Sequence, residues 1–171
     1  MLSEKQLFDK CITVVLKSEG GYQCHPNDAG NWYKGKLVGT KYGIAAKFFG
    51  GQYDIKNLTK EQAKEIYHKY YWFPMRLYGI EDENVILHMF DMGVNSGKRN
   101  AIRMAQRIAG TIPDGVVGHF TRRAINCYDG NFLEDYKDAR RGYYIRLSER
   151  KPSYKVFRKG WLKRIDKTKF V

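Results

Sequence analysis

Phe8-Asp9-Lys10-Cys11-Ile12-Thr13-Val14-Val15-Leu16-Lys17-Ser18-Glu19-Gly20-Gly21-Tyr22 reads as an amphipathic helix brought to an abrupt stop. Phe8, Ile12 and Val15 recur at helical spacing. Ser3 and Gln6 fit a capping box ahead of them, so a helix is expected through about Ser18. Glu19 follows Val15 by four residues and shares its face, the face expected to be buried. A carboxyl held against apolar walls is favoured in its protonated form, which is the form a general acid needs. Gly20-Gly21 ends the helix and lets a ligand approach without a Cβ in the way. The spacing leaves a second reading open, in which Glu19 lies exposed at a frayed helix end.

Beyond Tyr22 the pattern breaks into Gly, Asn, Pro and Asp clusters up to Gly51, with short apolar pieces at Leu37-Val38 and Tyr42-Gly43-Ile44. These suit small strands and turns and form the one β region expected. Thr59 and Gln62 make a second capping box for a helix that should run to Pro74. Further helices are expected at about 84–94, 98–109, 119–127 and 131–148. Gly110-Thr111-Ile112-Pro113-Asp114-Gly115 is too short and too apolar at its flanks for a flexible linker. In the basic tail Tyr154, Phe157, Trp161, Leu162 and Ile165 are spaced to dock on the core. The expected fold is α+β and predominantly helical, with a small β region after the first helix, in a single domain over 1–171.

The chain has 171 residues, of which 43% are hydrophobic and 15% aromatic, enough for one domain with a real core. Its net charge of +13 is unevenly placed. Residues 1–90 carry 12 Lys/Arg against 10 Asp/Glu, whereas 91–171 carry 19 against 8. A polyanionic partner follows, although charge alone does not separate nucleic acid, anionic membrane and bacterial wall, or any of these from a solvated basic surface. Cys11, Cys24 and Cys127 are odd in number and lack metal-ligand spacing, and the four histidines are scattered. Neither a disulfide framework nor a metal site is indicated, and no cofactor is expected. Met1-Leu2-Ser3-Glu4 lacks the start of a secretory signal, so synthesis in the cytoplasm is expected.

A glycosidic bond breaks only if the leaving oxygen is protonated, and a second carboxylate with a hydroxyl can activate water across from that acid. Glu19, Asp28 and Thr40 supply those groups. Asp28, in Pro-Asn-Asp-Ala-Gly, can equally be a turn former. Tyr22 and Tyr42 flank the same segment and are expected to contact substrate. Asp91 and Asn95 stand one helical turn apart and can face a cleft or brace neighbouring backbone. Gln106 on the next helix is a further candidate contact.

Glu19-Gly20-Gly21-Tyr22, Asn27-Asp28 and Thr40-Lys41-Tyr42-Gly43-Ile44 resemble glycoside hydrolase family 108, the N-acetylmuramidases found among phage endolysins and bacterial secretion activators. Leu58-Thr59 with Ala63, Ile66-Tyr67 and Tyr71-Trp72 is similar to that family's middle helix. Phe90-Asp91-Met92-Gly93-Val94-Asn95-Ser96-Gly97, Asp114-Gly115-Val116-Val117-Gly118 and Lys159-Gly160-Trp161-Leu162 with Arg164 resemble its peptidoglycan-binding segment, here about 86–171. The resemblance implies a lysozyme-like fold, hydrolysis of the β-1,4 bond between N-acetylmuramic acid and N-acetylglucosamine, and Glu19 as the acid. Peptidoglycan is the partner this implies; the basic second half is expected to hold anionic wall polymers, and no nucleic acid partner, a monomer, and action on the wall after release from the host cytoplasm are expected. The chain departs from the family pattern between Asp28 and Thr40, where Asn31-Trp32-Tyr33-Lys34-Gly35-Lys36 replaces a shorter Pro-Gly-Gly segment. Two rival readings are a lytic transglycosylase, separable by product mass, and a non-catalytic basic binding module, which has no use for Glu19.

Overall fold

The first helix, α1 (Glu4–Ser18), begins as its capping box predicts. Gln6 N donates to Ser3 Oγ at 3.3 Å and Ser3 N donates to Gln6 Oε1 at 2.9 Å, satisfying two donors that a helix start leaves without intrahelical partners. The helix buries Phe8, Cys11, Ile12 and Val15. It ends at Glu19, whose backbone is extended and whose N–H closes the last turn on the Leu16 carbonyl. The structure is a computed structural model and describes residues 2–170.

Two hairpins follow. Strands β1 (Trp32–Tyr33) and β2 (Lys36–Leu37) pair antiparallel around Lys34-Gly35, and β3 (Thr40–Lys41) and β4 (Ile44–Ala45) around Tyr42-Gly43. All four turn residues have positive φ, at 46° and 76° in the first turn and 51° and 76° in the second. Tight hairpins need this geometry, because its twist matches that of the flanking strands. Tyr42-Gly43 is therefore a turn, and the strand expected there starts only at Ile44. The extra residues between Asp28 and Thr40 form the first hairpin. The Asn31 carbonyl closes its base by accepting from Val38 N at 2.8 Å and Gly39 N at 3.0 Å, so the insertion leaves the core of the loop without carrying Thr40 away from Asn31.

After the short α2 (Ala46–Phe49), α3 (Lys60–Tyr67) starts at the second capping box, Thr59 with Gln62. The single helix expected up to Pro74 is interrupted by a π-helical turn, His68–Trp72, and resumes as α4 (Phe73–Met75). Pro74 has no N–H to give the Tyr70 carbonyl, and Lys98 Nζ donates to that carbonyl at 2.6 Å instead. Arg76, with φ 52°, ends the run.

The second half contains α5 (Glu83–Ser96), α6 (Lys98–Ile108), α7 (His119–Asn126), α8 (Phe132–Arg150) and α9 (Lys155–Lys167). Every residue of α5 from Val85 to Gly93 is buried, as suits a helix surrounded by others. It packs against α1, α6 and α8, while α9 lies along α8 and sinks Ile165 into the core. One hydrophobic cluster runs from Leu7 on the first helix to Ile165 on the last.

Candidate active site

Glu19 leaves α1 at the mouth of the second hairpin. Its side chain is 17% exposed, and one oxygen, Oε1, accepts from Arg164 Nη2 at 2.9 Å. The other oxygen lies over Gly43, where a Cβ would stand 2.7 Å from Oε2 and would also strike the Tyr67 hydroxyl. The turn can approach this closely only because residue 43 is glycine. Tyr67 Oη donates to the Tyr42 carbonyl at 2.9 Å, and Tyr42 N donates to the Gly20 carbonyl at 3.1 Å. These bonds hold Tyr42 in a left-handed conformation that costs a non-glycine residue about 1 kcal/mol. Burial first, and then the Glu19 charge, push both the Tyr67 and Tyr71 hydroxyls above the ordinary tyrosine range, so both stay protonated. The surroundings of Glu19 are therefore tyrosines and an arginine, not the apolar wall its helix face suggests, because the chain turns out of α1 at this residue.

Arg164 is itself held. Its Nε and Nη2 donate to Asp91 Oδ1 at 3.0 and 2.8 Å. Asp91 Oδ2 accepts from Arg140 Nη2 at 2.6 Å and from Thr168 Oγ1 at 3.3 Å. Arg140 Nη1 then lies 2.8 Å from His88 Nδ1. Burial alone would raise the Asp91 pKa, but Arg164 and Arg140 outweigh it and hold the carboxyl below its usual range. Burial, and next the Arg140 charge, push His88 down to about 4, so it accepts from Arg140 as a neutral ring. Arg164 thus bridges Glu19 and Asp91, and Arg140 bridges Asp91 and His88, in one chain of contacts across α1, α5, α8 and α9.

On the hairpin side, Asp28 Oδ1 accepts from Gly30 N at 2.8 Å and Oδ2 from Gln23 Nε2 at 2.8 Å. Gln23 Nε2 also donates to Asn31 Oδ1 at 3.1 Å, and Thr40 Oγ1 donates to the same oxygen at 2.7 Å. Asn31 is fully buried. Asp28 and Thr40 are thereby joined through Gln23 and Asn31, two residues the sequence reading did not single out. Thr40 spends its proton on Asn31 and keeps its lone pairs as acceptors. Tyr22 lies over Gly39 with its hydroxyl committed to the Val38 carbonyl at 2.8 Å and 39% of its surface exposed.

Two expected substrate contacts lie elsewhere. Asp91 is 1% exposed with both oxygens engaged, and it positions Arg164 instead of touching a ligand. Gln106, also 1% exposed, donates to Asp114 Oδ1 at 2.7 Å and the Val116 carbonyl at 3.0 Å and accepts from Gly115 N at 2.9 Å. It braces the loop before α7. Asn95 remains at a surface groove lined also by Trp161. Arg164 entered the sequence reading only as part of a motif; its role depends on a partner 145 residues away. Among the described residues, no group of three or more His, Cys, Asp or Glu side chains is arranged to hold a metal ion.

Residues 12–97 match the family model described as Glycosyl hydrolase 108, and residues 100–166 match the one described as Predicted Peptidoglycan domain. The chain is similar to the solved structure of Brucella abortus SagA, at 28% identity over 96% of this chain and 92% of that one, with a TM-score of 0.76. No curated protein matches it. The two matched segments meet at the turn between α5 and α6, and the ion pair of Glu19 with Arg164 joins one to the other.

Proposed function

The chain belongs to the glycosyl hydrolase 108 family and is a peptidoglycan hydrolase, and from that premise we propose that it cuts the β-1,4 bond between N-acetylmuramic acid and N-acetylglucosamine with Glu19 as the general acid. The observation that carries this reading is the Glu19 carboxyl itself, with one oxygen tied to Arg164 and the other over the bare backbone of Gly43. Glu19 gives its proton to the bridging oxygen as the bond from C1 breaks. A water held between Asp28 and the Thr40 hydroxyl attacks C1 from the other side, and its proton passes to Asp28. An acid and a base acting from opposite faces invert the anomeric centre.

Digestion of purified peptidoglycan with reducing-end analysis tests the reading. The expected fragments carry a new reducing N-acetylmuramic acid and have gained one water. Ends in 1,6-anhydromuramic acid would make the enzyme a lytic transglycosylase. Reducing N-acetylglucosamine ends would move the cut to the other bond.

A further inference from the structure

One helical turn from the ionic layer, the same three helices build a second layer. Asn95 follows Asp91 by four residues on α5, Tyr144 follows Arg140 by four on α8, and Trp161 precedes Arg164 by three on α9. A turn advances about 5.4 Å, so this layer adjoins the one that holds Glu19. Asn95 Nδ2 donates to Tyr144 Oη at 2.6 Å, and the Trp161 ring stacks on Tyr144 with centroids 5.1 Å apart and planes 26° off parallel. These side chains line a groove of about 540 Å³ that reaches solvent past Phe157, 53% exposed, and Lys151. The Trp161 ring packs among Tyr144, Tyr154 and Phe157, with centroids at 5.1, 5.9 and 5.8 Å, and the half-buried indole meets solvent along the groove.

We propose that this groove is a subsite for an N-acetylated sugar unit of the glycan strand, continuous with the cleft where the bond is cut. The inference rests on the reading of the enzyme as a hydrolase of N-acetylated glycan. A pyranose has flat C–H faces and a polar rim, and a rigid aromatic platform beside a few fixed polar atoms is its complement. Trp161 is the platform. The Asn95 amide is pinned through its nitrogen, so its Oδ1 is the atom left to accept the acetamido N–H. Lys151 Nζ stands 5.1 Å over the Tyr154 ring at the rim, where it meets the carboxylate of a lactyl group or stem peptide.

Calorimetric titration of the full chain carrying Glu19→Gln tests this, with chitotetraose, cellotetraose and a peptidoglycan tetrasaccharide with free carboxylates as probes. Both acetylated probes should bind, and cellotetraose at least about tenfold more weakly, equivalent to about 1.4 kcal/mol. Added to that background, Trp161→Leu should raise Kd about tenfold, whereas Trp161→Phe, which keeps a flat ring, should recover most of the affinity. Asn95→Ala should abolish the preference for acetylated probes. Lys151→Gln should weaken only the carboxylate-bearing probe. Unchanged affinities in Trp161→Leu and Asn95→Ala proteins, or variants that alter self-association instead, would overturn the proposal. If Trp161→Leu does not fold, Asn95→Ala and Lys151→Gln decide alone. Failure of the wild-type enzyme to cut peptidoglycan would overturn the assigned reaction, while the titrations would still judge the groove.

Discussion

Arg164 Nη2 donates to Glu19 Oε1 at 2.9 Å, tying the last helix to the end of the first across 145 residues of chain. The same nitrogen donates to Asp91 Oδ1 at 2.8 Å. A guanidinium can serve both because its planar fork offers several donors in fixed directions. Asp91 therefore sets the angle from which Arg164 meets Glu19, and the orientation of the candidate acid depends on packing of α9 against α5 and α8.

Arg164→Lys separates charge from geometry. Lysine keeps the cation but lacks the fork needed to grip Asp91 through two nitrogens and reach Glu19 as well. A misplacement of about 1 Å is worth about 10²-fold, so kcat should fall by about that factor with a smaller change in KM. Arg164→Gln should in addition lose about 1.5–3 kcal/mol of stability, because Asp91 loses its charge-assisted bonds from Arg164 and keeps Arg140 alone. Steady-state kinetics on soluble glycan and chemical denaturation measure the two effects; an unchanged kcat in the lysine variant would refute the positioning role.

Glu19→Gln keeps the shape of the side chain and its acceptor for Arg164 but has no proton to donate. Lysis of purified sacculi should drop by roughly 10²- to 10⁴-fold in a protein whose circular dichroism matches wild type. Equal clearing of turbidity by mutant and wild type would sink the assignment.

Gly43→Ala probes the space beside the acid. The added carbon would stand 2.7 Å from Glu19 Oε2 and at a φ of +76°, which alanine resists. The backbone penalty is about 1 kcal/mol, yet the side chains displaced are Tyr67 and Glu19, the proposed acid. Activity should therefore fall by more than the loss of stability accounts for, as seen in kcat measured well below Tm. A variant that lost stability but kept its kcat would show that Oε2 needs no such clearance.

His88 gives the fold a pH dependence. Its folded pKa of about 4 lies below the ordinary value of 6.5, so between those values the unfolded chain binds more protons and acid favours unfolding. Stability should be full above pH 6.5 and should decline by about 3 kcal/mol as pH falls to 4. Asp91, also held below its ordinary value, contributes stability that is lost only as pH falls further, through its own folded pKa. Tm recorded against pH should show the first decline in wild type and a flatter limb in His88→Gln. A flat wild-type profile between pH 6.5 and 4 would contradict the buried neutral ring.

The parts legible in the sequence are those that neighbours along the chain decide. Ser3 with Gln6 and Thr59 with Gln62 fix two helix starts through local hydrogen bonds, and Gly20-Gly21 marks the end of α1 at Glu19. Asp91 and Asn95 look alike in sequence, one turn apart on the same helix. Their different fates, one fully buried and one at a groove, depend on what α8 and α9 place opposite them. Asn31 reads as a loop residue because a buried asparagine and a turn asparagine have the same local pattern. Gln106 binds a loop that starts only a few residues later, but its partners there are mostly backbone atoms, which carry no residue-type signal.

The outer face of α9 carries Lys155, Lys159, Lys163 and Lys167, four residues apart and all exposed. Among the described residues, none of them forms an ion pair. Like charges at this spacing repel by about 0.2–0.5 kcal/mol per pair, so the stripe opposes the helix that bears it and is best satisfied by an external anion. The opposite face of the same helix holds Trp161, Arg164 and Ile165, so an anionic wall polymer on the lysines would retain the enzyme without entering the cleft. Salt separates the two functions. The Debye length shrinks from about 10 Å at 0.1 M to about 3 Å at 1 M, so binding to insoluble sacculi should fall steeply over that interval. Bond breaking depends on groups within a few ångströms of the scissile oxygen, and turnover of a short soluble glycan should change far less. Replacing Lys155, Lys159 and Lys163 together by Gln should lower sacculus binding at 0.1 M toward the level wild type shows at high salt. Co-sedimentation with sacculi across a salt series measures this directly. Wall binding that ignored both salt and the triple substitution would return the stripe to a solvated surface with no partner.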